Sequence, residues 1–450
     1  MIFILARPQE FVVELQRVPF LHLFTVLAVI GWVIDIRLRR LQPSAVPTLP
    51  WVIALLAWIL VGTAVVAPDH MIERAIEMAI MFVLYATLAH GVQSFRTFQI
   101  VAGVLVATCL FISGVCFHQG LSPKQCVAGE EAVDGDVSGV PDGRPCDISA
   151  QCLGPEAEPG KEYRCEHVGA FGTYSVEERV RYRGELHDPN EVSLAISAGA
   201  LSLLIAFSVR KRSVLARVPY ALGVGLVIST VLLTQSRGGL ICALFVPGVY
   251  ALRRYRLWAL VPAVGLGALA MVLASRGGAD ADVSTALRYE AWSTGLQLFQ
   301  QHPLFGVGAR LFTDHHYLTA HNSFVLTLAE LGFIGLCLFV TVIYLSMKTL
   351  IVGMRVLARV PGSAVAQVWG MALLASLSGI CFQINTLSFA YHTVLWIVFG
   401  LVGAWFSAVR THAPDLQVRF TWKDALAVIS GCAFYVFVLL RVFLRYKGEL

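Results

Sequence analysis

Charge is what this chain has least of. Asp, Glu, Lys and Arg make up 14% of its 450 residues, where a soluble globular protein carries roughly 25%. With 57% hydrophobic residues and a mean hydropathy of +0.71, that scarcity excludes the several soluble domains its length would otherwise suggest. Other absences narrow the reading. The start, "MIFILARPQEF", has neither a charged leading region nor a small-residue cleavage site. It therefore reads as the tail of a shortened first helix rather than a cleaved signal peptide. No nucleotide-binding fingerprint is present, which argues against a cytoplasmic nucleotide-sugar transferase. No internal repeat is evident, which argues against an inverted-repeat transporter.

What is there is a series of long apolar runs. Each has about the 20 residues needed to cross a hydrocarbon core. They fall near 19–36, 49–67, 72–91, 97–118, 190–209, 217–235, 238–252, 257–274, 322–346, 364–385, 388–408 and 425–444. Backbone polar groups in lipid must satisfy one another, so the runs are expected to be helices. The expected fold class is all-α, a polytopic integral membrane protein of about 12 spans. Lys and Arg mark cytoplasmic loops. Arg37, Arg39 and Arg40, the run Arg210, Lys211 and Arg212, then Arg253, Arg254 and Arg256, then Arg355 and Arg359 alternate as internal loops should. Segments 119–189 and 275–321 then face the other side. Both termini fall outside as well, which Arg445 and Lys447 fit poorly. The expected organisation is N-terminal helices over 1–118, a Cys-containing acidic excursion over 119–189, central helices over 190–274, an amphipathic excursion over 275–321 and C-terminal helices over 322–450.

Six of the ten cysteines lie in or beside apolar runs and read as packing residues. Cys126, Cys146, Cys152 and Cys165 share the first excursion. Four cysteines in an extracytoplasmic loop predict two disulfides, with three pairings open. Zinc is the rival, but no C-x-x-C knuckle is present. Asp134, Asp136 and Ser138 resemble the start of a calcium loop. Pro145 stands where its closing Glu would be, so the stretch reads as acidic solvated loop.

The second excursion carries Leu287, Trp292, Leu296 and Phe299 at helical spacing, then breaks at His302-Pro303 and Gly306-Val307-Gly308. It reads as an amphipathic helix at the membrane surface followed by a tight turn. Charged side chains at membrane depth mark function by default. Arg237, in "TQSRGGL", is either a snorkelling turn arginine or part of an anion site with Ser236 and the Gly238 and Gly239 amides. Arg183 lies above Asp188-Pro189-Asn190, a helix start capped by Asp or Asn. With Arg181 it is a candidate anion contact. Arg288 opens the amphipathic helix and is otherwise an ordinary exposed arginine. His321, at the head of "HNSFVLTLAELGFIGL", is either a capping histidine or a base that takes a hydroxyl proton. Asp314, His315, His316 and His321 fit no standard zinc spacing. Ser323, Thr327 and Glu330 share a helix face turned into the bundle, and Glu330 reads as a structural anchor. Arginines and one base on the outer face suit a lipid-linked diphosphate donor.

These motifs resemble a known family. "AHNSFVLTLAELGFIGL", "RYEAWSTGLQLFQQHPLFGVG", "TQSRGGL" and "RGELHDPNEVS" are similar, in order across about 180–345, to signatures of the O-antigen ligase and polymerase superfamily. The resemblance implies an inverting, metal-independent and cofactor-free glycosyltransferase in the bacterial inner membrane, active at the periplasmic face. Its implied donor is an undecaprenyl-diphosphate-linked glycan and its implied acceptor lipid A-core or a similar glycan. No nucleic-acid partner is expected. Matched by motif, His321 is the catalytic histidine, Arg237 and Arg288 engage the diphosphate, and Arg183 is a further match. Asn322, Ser236, Glu330, Asp188 and Asn190 are supporting residues. The Cys-containing insertion and the last span lie outside the shared pattern. A polymerase, a protein O-glycosyltransferase and, in a different class, a lipid-linked glycan transporter remain as alternatives.

Overall fold

In the computed structural model the chain is described at all residues except 16–17, 43–45, 131–137, 156, 158–159, 256–257, 259–264, 266–278 and 450. It divides into two compact units, one of Met1–Phe20 with Gly103–Ser275 and one of Leu21–Ala102 with Arg276–Leu450. The labelled helices are α1 (Phe20–Arg37), α2 (Leu49–Val66), α3 (Met71–Gly91), α4 (Phe95–Leu121), α5 (Pro189–Val209), α6 (Val218–Leu233), α7 (Arg237–Tyr255), α8 (Ala279–Gln301), α9 (Ser323–Leu357), α10 (Ala364–Gln383), α11 (Thr393–Arg410) and α12 (Trp422–Lys447).

The protein is a mostly helical, polytopic membrane protein. Among the described residues, nine helices are long and apolar enough to cross a membrane: all of these except α3, α7 and α8, with Leu215–Arg217 leading into α6. The expected runs at 72–91 and 238–252 are helices, α3 and α7, but α3 carries charge at its start and α7 at both ends. The run at 257–274 lies outside the described residues, apart from isolated positions, as do Asp134 and Asp136 of the calcium-like stretch.

In the first unit, the Cys-containing excursion folds into a three-stranded antiparallel sheet, β1 (Lys124–Glu130), β2 (Ser138–Pro145) and β3 (Glu162–His167), in the order β2-β1-β3. This strand structure is an addition to the expected all-helical plan. Its core is small: Tyr163 and the four cysteines. Two disulfides staple it, Cys126–Cys152 and Cys146–Cys165, and they choose one of the three pairings. Among the described residues the one grouping of three metal-capable side chains is Cys126, Cys146 and Cys152, drawn together by these bonds. So few apolar residues cannot offset the entropy of ordering the loop unaided, which is the usual place for disulfides. Helices α5, α6 and α7 pack on one another in the same unit, with a π-helical turn at Ser197–Leu201 inside α5.

The second unit is organised around α9, which touches α2, α8, α10, α11 and α12. The sequence leads one to expect an uninterrupted span over 322–346. The structure breaks it: Gly332 has φ 69° and ψ −171° inside α9. A short half-helix runs from Ser323 to Leu331, and the long remainder starts at Phe333. The break exposes the carbonyls that end the half-helix, and each finds a donor. Val307 N–H donates to Ala329 O at 2.9 Å and Gly308 N–H to Glu330 O at 3.0 Å. The Trp58 indole N–H of α2 donates to Leu331 O at 3.0 Å. Returning the contact, Phe333 N–H donates to Pro303 O at 3.0 Å. The turn after α8 is therefore stitched into the gap. Two glycines make this fit possible. Gly306 has φ 67°, and a Cβ there would stand 2.3 Å from the Glu330 carbonyl carbon. At Gly332 a Cβ would stand 2.2 Å from Leu304 O.

Gly306→Ala and Gly332→Ala are each expected to cost about 2–4 kcal/mol, from left-handed backbone strain plus overpacking. Thermal unfolding of the purified protein in detergent checks this; melting at the wild-type temperature would mean that the stitch is dispensable. A second expectation concerns the insertion. The Lys124 ammonium bonds the Glu178 carboxylate and holds its carboxyl below the ordinary value. That contribution is present above the unfolded carboxyl range and lost as pH falls through the depressed folded value. The insertion should therefore become more sensitive to an acid-active protease below about pH 4, and markedly more so at neutral pH once the disulfides are reduced.

Candidate functional site

The segment before α9 is held at several points. Asn322 is the N-cap: its Oδ1 accepts from Phe324 N–H at 3.0 Å and Val325 N–H at 3.2 Å. Its Nδ2 donates to the Tyr435 hydroxyl of α12 at 3.2 Å. Ser323 N–H donates to Ile384 O at 2.8 Å, and Ser323 Oγ donates to Leu387 O at 2.7 Å. On the other side, the Trp292 indole N–H of α8 donates to Ala320 O at 2.8 Å. Between these anchors stands His321, half-buried and with φ 45°. A non-glycine residue rarely occupies that left-handed region, and it persists there only where its surroundings over-determine it.

Arg288 lies one turn before Trp292 on α8. Residues four apart share a helix face, so Arg288 is on the face whose indole reaches the segment leading to His321. Glu290 of the same helix stands 3.9 Å from His316 Nε2. His316 Nδ1 turns back on its own loop, 2.9 Å from Leu318 O. The expected amphipathic helix is present. Leu296 and Phe299 are buried, and Phe299 and Trp292 face Phe437 and Phe443 of α12 at 6.2 and 5.6 Å between ring centroids.

Glu330, expected as a structural anchor, lies inside α9. It is 2% exposed, and its Oε1 accepts from Phe312 N–H at 3.2 Å. Beside it, the buried Tyr391 phenol is pushed well up from its ordinary value by burial and by the Glu330 carboxylate. The Arg310 guanidinium lies 5.6 Å from the Tyr391 ring centroid, and its Nε is 3.3 Å from Glu77 Oε2. Arg74 donates to Ala309 O at 3.1 Å and to Glu77 Oε2 at 2.8 Å. Sequence reasoning passed over Arg74, Glu77, Arg310 and Tyr391. The charges at 73, 74 and 77 inside an apolar run were the available signal.

In the first unit, Asp188 caps α5, accepting from Asn190 N–H at 2.5 Å. Asn190 Oδ1 accepts from Arg179 at 3.1 Å, and Arg179 also donates to Thr234 O at 3.0 Å. Arg179, not singled out from sequence, thus ties the start of α5 to the "TQSRGG" turn. Gln235 has φ 50° there, and Ser236 Oγ accepts from Gly239 N–H at 3.0 Å. Ser236 therefore caps α7 and already engages the Gly239 amide, one of those considered for an anion. Arg237 opens α7 and is exposed. Arg183 donates to the carbonyls of Phe171 and, at 3.5 Å, Glu10. Arg181 is buried, donates to Tyr174 O at 3.3 Å and stacks on that ring at 4.6 Å. Much of their donor capacity goes to holding the loop. Arg183, Asp188, Asn190, Ser236 and Arg237 fall in the first unit; Arg288, His321, Asn322 and Glu330 fall in the second.

The fold and site define a multi-pass membrane protein with a clamped histidine ahead of a broken span. Residues 192–340 match the family model described as O-Antigen ligase. Over that third of its length the chain is similar to the O-antigen ligase family. No curated protein matches it. The matched segment includes Ser236, Arg237, Arg288, His321, Asn322 and Glu330, and leaves out Arg183, Asp188, Asn190 and α12.

If Glu330 is an anchor, Glu330→Gln should keep the Phe312 contact and most of the stability. Glu330→Leu should destabilise by about 1–3 kcal/mol by leaving that buried N–H unpaired. Paired thermal melts of the two variants check the difference, and equal melts would remove the anchor role.

Proposed function

We propose that the protein transfers a glycan from undecaprenyl diphosphate to a lipid A-core-type acceptor at the periplasmic face of the inner membrane. The observation that carries this reading is the O-antigen ligase match over 192–340, a segment that contains His321 held between the Trp292 and Asn322 contacts. In this reading His321 takes the proton from the acceptor hydroxyl as that oxygen attacks the anomeric carbon. The bond from that carbon to the diphosphate oxygen breaks, and undecaprenyl diphosphate leaves with the electron pair. A base matched to neutral pH is worth about a hundred- to ten-thousandfold in such a step. Arg237 and Arg288 neutralise the departing diphosphate, as cations placed where charge develops do. Arg183 has the weakest claim, because it already donates to two backbone carbonyls. The displacement inverts the anomeric centre and uses no metal.

Purified protein given the lipid-linked donor with lipid A-core, a second lipid-linked repeat unit or a pilin-like protein, each in turn, separates ligase from polymerase and from protein glycosyltransferase. Product on lipid A-core alone is expected. His321→Ala should lose transfer by at least about a hundredfold while staying folded; full activity would remove the base. Arg237→Ala should weaken retention of the lipid diphosphate, and unchanged affinity would return that arginine to a structural role. Activity should survive chelation.

A further inference from the structure

The last helix lies outside the matched segment, yet it reaches Asn322, the residue after the candidate base. Its foot is tied to α9: Asp424 receives Lys348 Nζ at 2.7 Å and the Tyr344 hydroxyl at 2.5 Å. Thirteen residues after Trp422, the helix turns π-helical at Tyr435–Leu440. Such turns re-aim side chains and recur at functional sites. The first residue of this one, Tyr435, meets the Asn322 amide at 3.2 Å and packs edge-on against Phe324, 5.9 Å between centroids. Asn322 has two jobs with different atoms. Its carbonyl oxygen caps α9 and also lies 3.5 Å from the Tyr435 hydroxyl, while its NH2 group donates to that hydroxyl across to α12. A cap alone needs no amide, since Ser or Asp would do as well. On the opposite flank the Trp292 indole holds Ala320 O. The two side chains thus grip the residues immediately before and after the left-handed His321.

We propose that Tyr435 and Trp292 are positioning residues that fix the backbone of His321 and so aim its imidazole, the C-terminal helix supplying one jaw of the clamp. The proposal rests on His321 being the base. Reactions that depend on a proton acceptor in place are sensitive to displacements of about 1 Å. Losing either jaw should therefore lower turnover while leaving donor binding alone.

The test uses full-length protein in detergent or nanodiscs. Tyr435→Phe keeps the ring and removes the hydroxyl. Asn322→Ser keeps a capping oxygen and removes the amide. Trp292→Phe removes the indole donor. Each should lower kcat about tenfold or more, with KM for the lipid-linked donor within about twofold, and with melting close to wild type. A second readout needs no activity: the rate at which diethyl pyrocarbonate modifies His321, followed by peptide mass spectrometry with His315 as internal control. That rate should change several-fold at His321 and not at His315. Wild-type kcat and wild-type His321 reactivity in Tyr435→Phe and Asn322→Ser would overturn the clamp. So would losses that track a lowered melting temperature and vanish when corrected for folded protein. If wild-type protein forms no transfer product but the reactivity change persists, the clamp stands and the transferase reading falls.

Discussion

A helix interrupted inside an apolar environment must find new partners for the backbone groups it releases. Much of the second unit follows from how this chain meets that requirement at Gly332. The carbonyls of Ala329, Glu330 and Leu331 would otherwise be orphaned in the bundle. They receive two backbone N–H groups from the turn after α8 and one indole N–H from α2. An unpaired buried carbonyl costs about 1–3 kcal/mol, so the three contacts together decide whether the break is tolerable. They also explain the glycines at 306 and 332, which bring two backbones closer than any Cβ allows.

The break has a geometric consequence for the candidate site. It separates the direction of the half-helix Ser323–Leu331 from that of the long span behind it. The half-helix N-terminus can therefore be held by groups chosen for it alone: the 384–389 loop, Trp292 and Tyr435. An unbroken span would carry His321 wherever its own packing took it. A short one is placed by its contacts, and here they converge on the residues flanking the histidine.

Charge in this unit is handled the same way. Arg74 and Arg310 share the Glu77 carboxylate, and Glu330 holds the Phe312 amide beside Tyr391. Each polar group tethers the 306–312 turn to a neighbouring helix. A buried charge is tolerable when paired and hydrogen-bonded, and these pairs fasten an irregular segment against apolar spans.

Long apolar runs, alternating basic loops and four cysteines in one polar excursion were legible without coordinates, because each depends on composition within a short window. So was Asp188 as a cap, since an Asp just ahead of Pro189-Asn190 at a helix start is a local capping signal. The sequence by itself determined a polytopic helical membrane protein and, through local motifs, offered His321, Arg183, Arg237 and Arg288 as candidates. Tertiary structure decided the rest: the disulfide pairing, the sheet, the break at Gly332, the roles of Arg179, Arg74 and Arg310, and the grip on His321. The contacts at the break and beside His321 come from far away in the chain. Trp58 lies 273 residues from Leu331, and Tyr435 lies 113 from Asn322. Hydrogen bonds are set by distance in space, and no local pattern in the chain records which distant donor will arrive.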